Sequence, residues 1–269
     1  MKNKKVSIII PVYNTGVLAF KLVEKLLNDK YRNLEILLVD DGSTDDSLNA
    51  LKEIKDSRVR IFTKKNGGPS SARNLGIKNI TGEYLLFLDS DDNVSENFIS
   101  EMVGNMDDDT AMAVCSVRYR KLWLKSEEDV YLDDFKCQKN ESKKNFILRS
   151  LTHDGRMYPA FNKIFRSDAV RDNNLLFDEK MKFGEDTKFV LNYLNYCSGK
   201  IRFILKPLYI YNAGTPTSTA KKMEREWKNW RKCFSNLKKW VGKNPSFNEK
   251  RLLALIYLKW RASWLKARF

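Results

Sequence analysis

Histidine is almost missing from this sequence: His153 is the only one in 269 residues. That leaves no room for a Ser-His or Cys-His nucleophile constellation or for a zinc site built on imidazoles. Cysteine is sparse too. Cys115, Cys137, Cys197 and Cys233 stand far apart with no metal spacing, and they read as free thiols of a cytosolic protein. No apolar run approaches the roughly 20 residues of a membrane span. The first such run, Val6 to Ile10, is too short for a signal-peptide core and is broken by Pro11 and Asn14. The glycine loops fit neither the dinucleotide fingerprint nor a P-loop. Any phosphate is therefore expected on a metal ion or on Arg and Lys rather than in a glycine cradle.

Positive charge is abundant and unevenly placed. The net charge is +15, and residues 221–269 alone hold 15 Lys and Arg against 3 Glu, together with five of the six tryptophans. This contrast sets a boundary near residue 220. Residues 1–220 then form the main α/β unit, with a 1–110 half and a 111–220 half, and 221–269 form a basic helical extension.

Apolar β-branched runs alternate with helical periodicities. Strands are expected at Val6–Val12, Leu34–Val39, Arg58–Phe62 and Tyr84–Leu88. Helices are expected at Leu18–Leu27, at Asp45–Lys55 capped by Ser43 or Thr44, and from Ser70 or Ser71 to about Asn79. Alternation of this kind predicts a mostly parallel, doubly wound sheet. Further on, a helix over 95–105, a strand over Ala111–Tyr119, a helix over Asn145–Leu151 and a strong helix ending at Tyr196 are expected. Residues 120–140 show no clear pattern.

Two strands run into acids: Val39 into Asp40-Asp41-Gly42-Ser43, and Leu88 into Asp89-Ser90-Asp91-Asp92. In an open α/β sheet the C-terminal strand ends are where ligands bind. Clustered carboxylates there repel one another unless a cation or hydrogen-bond donors hold them, and hard oxygen ligands suit Mg²⁺ or Mn²⁺. An isolated Asp-x-Asp reads equally well as a solvated turn. Glu185-Asp186 opens a helix, where negative charge is favoured and plain capping is the simpler reading.

Five segments in this order carry a resemblance: Pro11-Val12-Tyr13-Asn14, Val39 to Ser43, Gly68 to Gly76, Asp89 to Asp92 and Gly184-Glu185-Asp186. Over residues 4–220 the chain resembles the family 2 glycosyltransferases, which have the GT-A fold and build bacterial surface polysaccharide and lipopolysaccharide. The resemblance implies roles. Pro11, Tyr13 and Asp41 would hold the nucleotide base, with Asp41 accepting from a uracil N–H. Arg73 would lie near the base and the nucleotide-binding acids, Asp89 and Ser90 near the ribose. Asp91 would bind the metal, Mn²⁺ or Mg²⁺, with Asp92 competing. Asp186 would be the catalytic base, with Glu185 beside it. Asn162-Lys163 would face acceptor or diphosphate. Relatives often place His or Arg after the last core strand, whereas Tyr209 to Gly214 has neither, so water, Lys221 or Lys222 would have to serve there.

The implied activity is inverting, metal-assisted transfer from a UDP-sugar to a lipid-linked glycan, giving a β-glycoside from an α-linked donor. The alternative is a non-catalytic partner subunit that binds a sugar nucleotide or glycan. The tail adds a localisation. Trp227, Trp230, Phe234, Leu237 and Val241 form one stripe and Leu252, Ile256, Trp260 and Trp264 a second, with Asn244-Pro245-Ser246 between. Basic helices with tryptophan on one face suit peripheral contact with the inner face of the cell membrane. The same stripes would equally well pack as core. Nucleic acid is not an expected partner, because no recognisable module for it is present.

Overall fold

The structure is a computed structural model that describes residues 3–121, 126–130, 142–153, 159–213 and 227–268. Strands β1 (Val6–Val12), β2 (Leu34–Asp40), β3 (Val59–Thr63) and β4 (Tyr84–Phe87) form a parallel group in the order β3-β2-β1-β4. Helices α1 (Gly16–Leu27), α2 (Ser47–Lys52) and α3 (Pro69–Ile77) make the crossovers. Every residue of β2 is buried, as a strand covered on both faces requires.

The sheet then becomes mixed. Strand β8 (Lys163–Arg166) is antiparallel to both of its neighbours, β4 and β6 (Thr110–Lys121). Beyond β6 come β9 (Lys200–Ala213), parallel to it, and the short β5 (Asn93–Val94). Strand β7 (Ser126–Val130), in the stretch without a clear pattern, pairs with β6. The period-2 alternation of β1 sorts the core. Ile8 and Ile10 pack with α1 and α4 (Phe98–Gly104). Ile9 faces the opposite cluster, with α3, α5 (Lys143–His153) and α7 (Glu185–Tyr196).

Local capping differs from expectation at two helices. Ser43 and Thr44 do not cap α2. The Asn14 backbone N–H donates to Ser43 Oγ, and the Thr44 N–H donates to Asn14 Oδ1 at 2.8 Å, which ties the turns after β1 and β2 together. Helix α3 opens on Pro69 rather than on a capping serine. Proline suits that first position, where its missing N–H costs nothing.

The tail forms α8 (Trp227–Val241) and α9 (Phe247–Arg268). Ser246 and Glu249 make a reciprocal capping box at the start of α9: the Ser246 N–H donates to Glu249 Oε2 at 2.6 Å and the Glu249 N–H to Ser246 Oγ at 3.3 Å. The apolar stripes pack inward. Cys233, Leu237, Val241, Leu252, Ile256 and Trp260 belong to the same core cluster as α5 and α7. The core-packing reading of these stripes therefore holds for the residues described. The side chains of Trp227 and Trp264 lie outside them, as do Lys221 and Lys222.

Candidate active site

Arg73 organises the site. It sits within α3, and its side chain is 7% exposed. Its Nη2 donates to Asp89 Oδ1 at 2.6 Å, just beyond the end of β4, and its Nη1 to Asp186 Oδ1 at 3.3 Å, in the first turn of α7. Burial works against the guanidinium charge, but Asp186, Asp89 and Glu185 outweigh it, and the pKa of Arg73 is raised. One cation thus joins an acid from the first half of the chain to an acid from the second.

The backbone holds Asp186 on its other side. Its Oδ2 accepts the Ala160 N–H at 3.0 Å. Asn162 and Lys163 are fully buried just behind that contact. Lys163 Nζ donates to the Pro159 carbonyl at 2.6 Å and to Asn162 Oδ1 at 2.7 Å, and Asn162 Nδ2 donates to the Cys115 carbonyl. This buried pair pins the turn that carries Ala160. Neighbouring Glu185 is pushed up to about 7, first by burial and then by the charge of Asp186.

The three acids after β4 have separate surroundings. Asp89 is raised, mainly by burial, against the pull of Arg73. Asp92 is buried with both oxygens engaged: Tyr209 Oη donates at 2.5 Å and the Asn212 N–H at 2.8 Å. Burial and the charge of Asp89 raise its pKa well above the ordinary range. Asp91 is half-buried, and Asn212 Nδ2 donates to its carbonyl at 2.7 Å. Ser90 Oγ lies 2.7 Å from Thr15 Oγ1 in a buried contact. Asn212 Oδ1 is buried without a hydrogen-bond partner.

This donor set suits a divalent ion shared with a ligand better than one caged by the protein. Among the described residues no three His, Cys, Asp or Glu side chains group into a metal cage. Mg²⁺ normally takes one or two carboxylates and completes its shell with phosphate and water. A half-buried Asp91 beside an unpartnered amide oxygen fits that habit.

At the other end of the crevice, Asp41 is 3% exposed and heavily engaged. Lys64 Nζ donates to Oδ1 at 2.7 Å, the Gly67 N–H to Oδ1 at 3.0 Å, and the Gly68 N–H to Oδ2 at 2.7 Å. Gly68 has φ +88°, a conformation that glycine adopts without strain. Pro11 lies on β1 opposite Val39, and Tyr13 is 44% exposed beyond the strand end.

The structure adds residues that the sequence did not single out: Tyr209, Asn212, Lys64 and the Ala160 backbone. Of these, Tyr209 and Asn212 had a local signal, as polar side chains in a segment noted for lacking His and Arg.

The Glycosyl transferase family 2 model matches residues 7–173, which include Arg73 and all the acids up to Asp92. The chain belongs to that family. Relatives within it include the glycosyltransferase GlyG of Streptococcus pneumoniae, 30% identical over 234 residues, covering 82% of this chain and 75% of GlyG. An uncharacterized glycosyltransferase of Rickettsia bellii is 33% identical over 195 residues, 69% of this chain but 26% of that protein. A Rickettsia felis relative is 54% identical over 94 residues, 34% of this chain and 15% of its own length. The chain thus spans only a small part of the Rickettsia family members. Residues 1–349 of S. aureus TarS in complex with UDP-GlcNAc share the fold at a TM-score of 0.71 and 21% identity, covering 98% of this chain and 79% of that one. The mannosyltransferase PcManGT of Pyrobaculum calidifontis, in complex with GDP-Man and Mn²⁺, matches at a TM-score of 0.66 and 15% identity, covering 98% and 73%. The family member described here has the GT-A fold, a mostly parallel sheet flanked by helices.

Proposed function

We propose that this family 2 chain is an inverting glycosyltransferase that moves a sugar from a UDP-sugar to a hydroxyl of a glycan acceptor. The observation that carries this is the Asp89–Arg73–Asp186 bridge, with contacts of 2.6 and 3.3 Å. It sets a donor-side acid and an acceptor-side acid on either side of one buried cation, at the C-terminal ends of the parallel strands.

Asp186 is the general base. A carboxylate has about four lone-pair sites, and Arg73 and Ala160 engage one oxygen each, so lone pairs remain for the acceptor proton. Its two fixed contacts hold it in one orientation. Glu185, near half-protonated at neutral pH, supplies a second acid beside it. Pro11, Tyr13 and Asp41 line the base pocket, and Asp41 reaches a uracil N–H once Lys64 swings aside. Asp89 and Ser90 approach the ribose. Asp91, rather than Asp92, is the residue to hold Mn²⁺ or Mg²⁺, which when bound supplies Lewis-acid stabilisation of the diphosphate leaving group. Attack from the face opposite the leaving group converts an α-linked donor into a β-glycoside and requires no enzyme nucleophile.

UDP is favoured through Asp41, whose carboxylate suits a uracil N–H, and the TarS match is a complex with UDP-GlcNAc. The product would enter a surface polysaccharide or lipopolysaccharide, on an acceptor that is lipid-linked, with the protein peripheral at the inner face of the membrane. No helix among the described residues is long and apolar enough to cross a membrane.

The test is a screen of sugar nucleotides for hydrolysis with Mn²⁺ and with a chelator. UDP release from one donor, abolished by the chelator and by Asp91→Ala, supports the assignment. UDP binding without hydrolysis, even with glycan acceptors added, favours a non-catalytic partner subunit.

A further inference from the structure

Helix α9 has two apolar faces. Leu252, Leu253, Ile256 and Trp260 point into the core. Phe247, Leu255 and Leu258, at helical spacing on the opposite side, are 86%, 44% and 59% exposed. The residues around this outer ridge, Lys250, Arg251 and Arg261, are exposed and basic. Beside α9 a cleft of about 580 Å³ opens between it and α8, lined by Arg231, Lys238, Lys239 and Lys243. Its aromatic floor is the pair Phe234 and Tyr257, with ring centroids 5.1 Å apart. No acidic side chain lines it. None of its four cations has an acidic partner among the described residues.

We infer that this outer surface of α8 and α9 docks on an anionic lipid bilayer, with Phe247, Leu255 and Leu258 entering the interface and the basic cleft receiving lipid phosphate. The inference rests on the peripheral-membrane part of the proposed function and relocates its contact. Of the tryptophans that sequence spacing offered to the membrane, the two whose side chains are described pack inward: Trp260 is 3% exposed, and its ring lies 5.7 Å from that of the partly buried Trp230. The remaining ridge is small, so apolar insertion alone binds weakly, and the surrounding cations have to add to it. An apolar ridge rimmed by cations and flanked by an acid-free cleft complements a surface that is apolar inside and anionic at its rim. A second copy of this chain would bring the same positive charge against it.

The experiment is co-sedimentation of the full chain with phosphatidylcholine vesicles, with and without phosphatidylglycerol, in the absence of donor. Binding is expected only to the anionic vesicles, falling as salt rises. The double variant Phe247→Ser, Leu258→Ser should bind about tenfold or more weakly at fixed salt. Lys238→Glu with Lys239→Glu should weaken binding and flatten its salt dependence. Donor hydrolysis measured without vesicles should be unchanged in both variants, so a failure of the docking idea is separable from a failure of the transferase reading. Equal binding to neutral vesicles, wild-type binding by the serine variant, or binding of soluble inorganic phosphate with none to vesicles would overturn it. So would a concentration-dependent dimer in sedimentation velocity that the serine variant abolishes.

Discussion

Arg73 and Asp186 are 113 positions apart in the chain, yet their charged groups meet at 3.3 Å. The contact crosses from α3 to α7 and closes the crevice between the two halves. Because Asp89 completes the bridge, removing Arg73 leaves two half-buried carboxylates facing each other.

Arg73→Met should therefore cost both stability and turnover. Removing one partner of a fully buried ion pair typically costs about 3–5 kcal/mol, and Asp89 and Asp186, with side chains 29% and 19% exposed, are partly screened. Urea unfolding should show a smaller loss, of about 1–3 kcal/mol. Arg73→Met combined with Asp186→Asn should lose less than the sum of the two single variants. Strict additivity in the cycle would mean that the bridge carries no coupling.

Asp91 and Asp92 should separate cleanly. Asp92→Asn removes a carboxylate whose oxygens accept from Tyr209 and Asn212. It should lower the melting temperature while Mn²⁺ still strengthens UDP binding. Asp91→Asn should abolish the Mn²⁺ effect in a calorimetric titration. Tyr209→Phe should mimic the first, at about 1–3 kcal/mol for a buried carboxylate that loses its hydroxyl donor.

The raised pKa of Glu185 has a definite sign. Its carboxyl titrates near 7 when folded and near 4.5 when unfolded, so between those values the folded state holds the extra proton. Stability contributed by this group is full below about pH 4.5 and falls as pH rises toward 7. Glu185→Gln should then stabilise the protein above pH 7, by at most about 3 kcal/mol. The gain should vanish below pH 4.5. Thermal melts of both proteins across that range measure it.

Gly184 precedes the acids with φ +76°, and a Cβ there would meet Cys233 Sγ at 2.6 Å. Gly184→Ala should destabilise the protein by more than the roughly 1 kcal/mol expected from backbone conformation alone. Adding Cys233→Ala removes the Sγ contact at 2.6 Å but keeps the Cβ at 3.1 Å, so it should recover most of the steric part and none of the conformational part. It should also restore donor hydrolysis lost through displacement of Glu185 and Asp186. No recovery in the double variant would show that α8 does not set the position of the α7 N-terminus.

The sequence by itself determined the strands of the parallel group, because short, mostly apolar runs bounded by turn residues read as strands. It also put Asp41 and Asp89 at the carboxyl ends of those strands, and showed two helices in the tail. The tertiary structure decided how those residues are used. The Asp92 carboxylate is set apart by Tyr209 Oη and the Asn212 N–H, which arrive on β9 about 120 residues later. Asp41 is occupied because a glycine loop and Lys64 from beyond β3 close over it. Helical spacing shows which residues of α9 share a face. It carries no information on whether that face meets the core or solvent, because both of its faces are apolar. Packing against α5 and α8 makes that choice, burying Ile256 and Trp260 and leaving Phe247 and Leu258 outside.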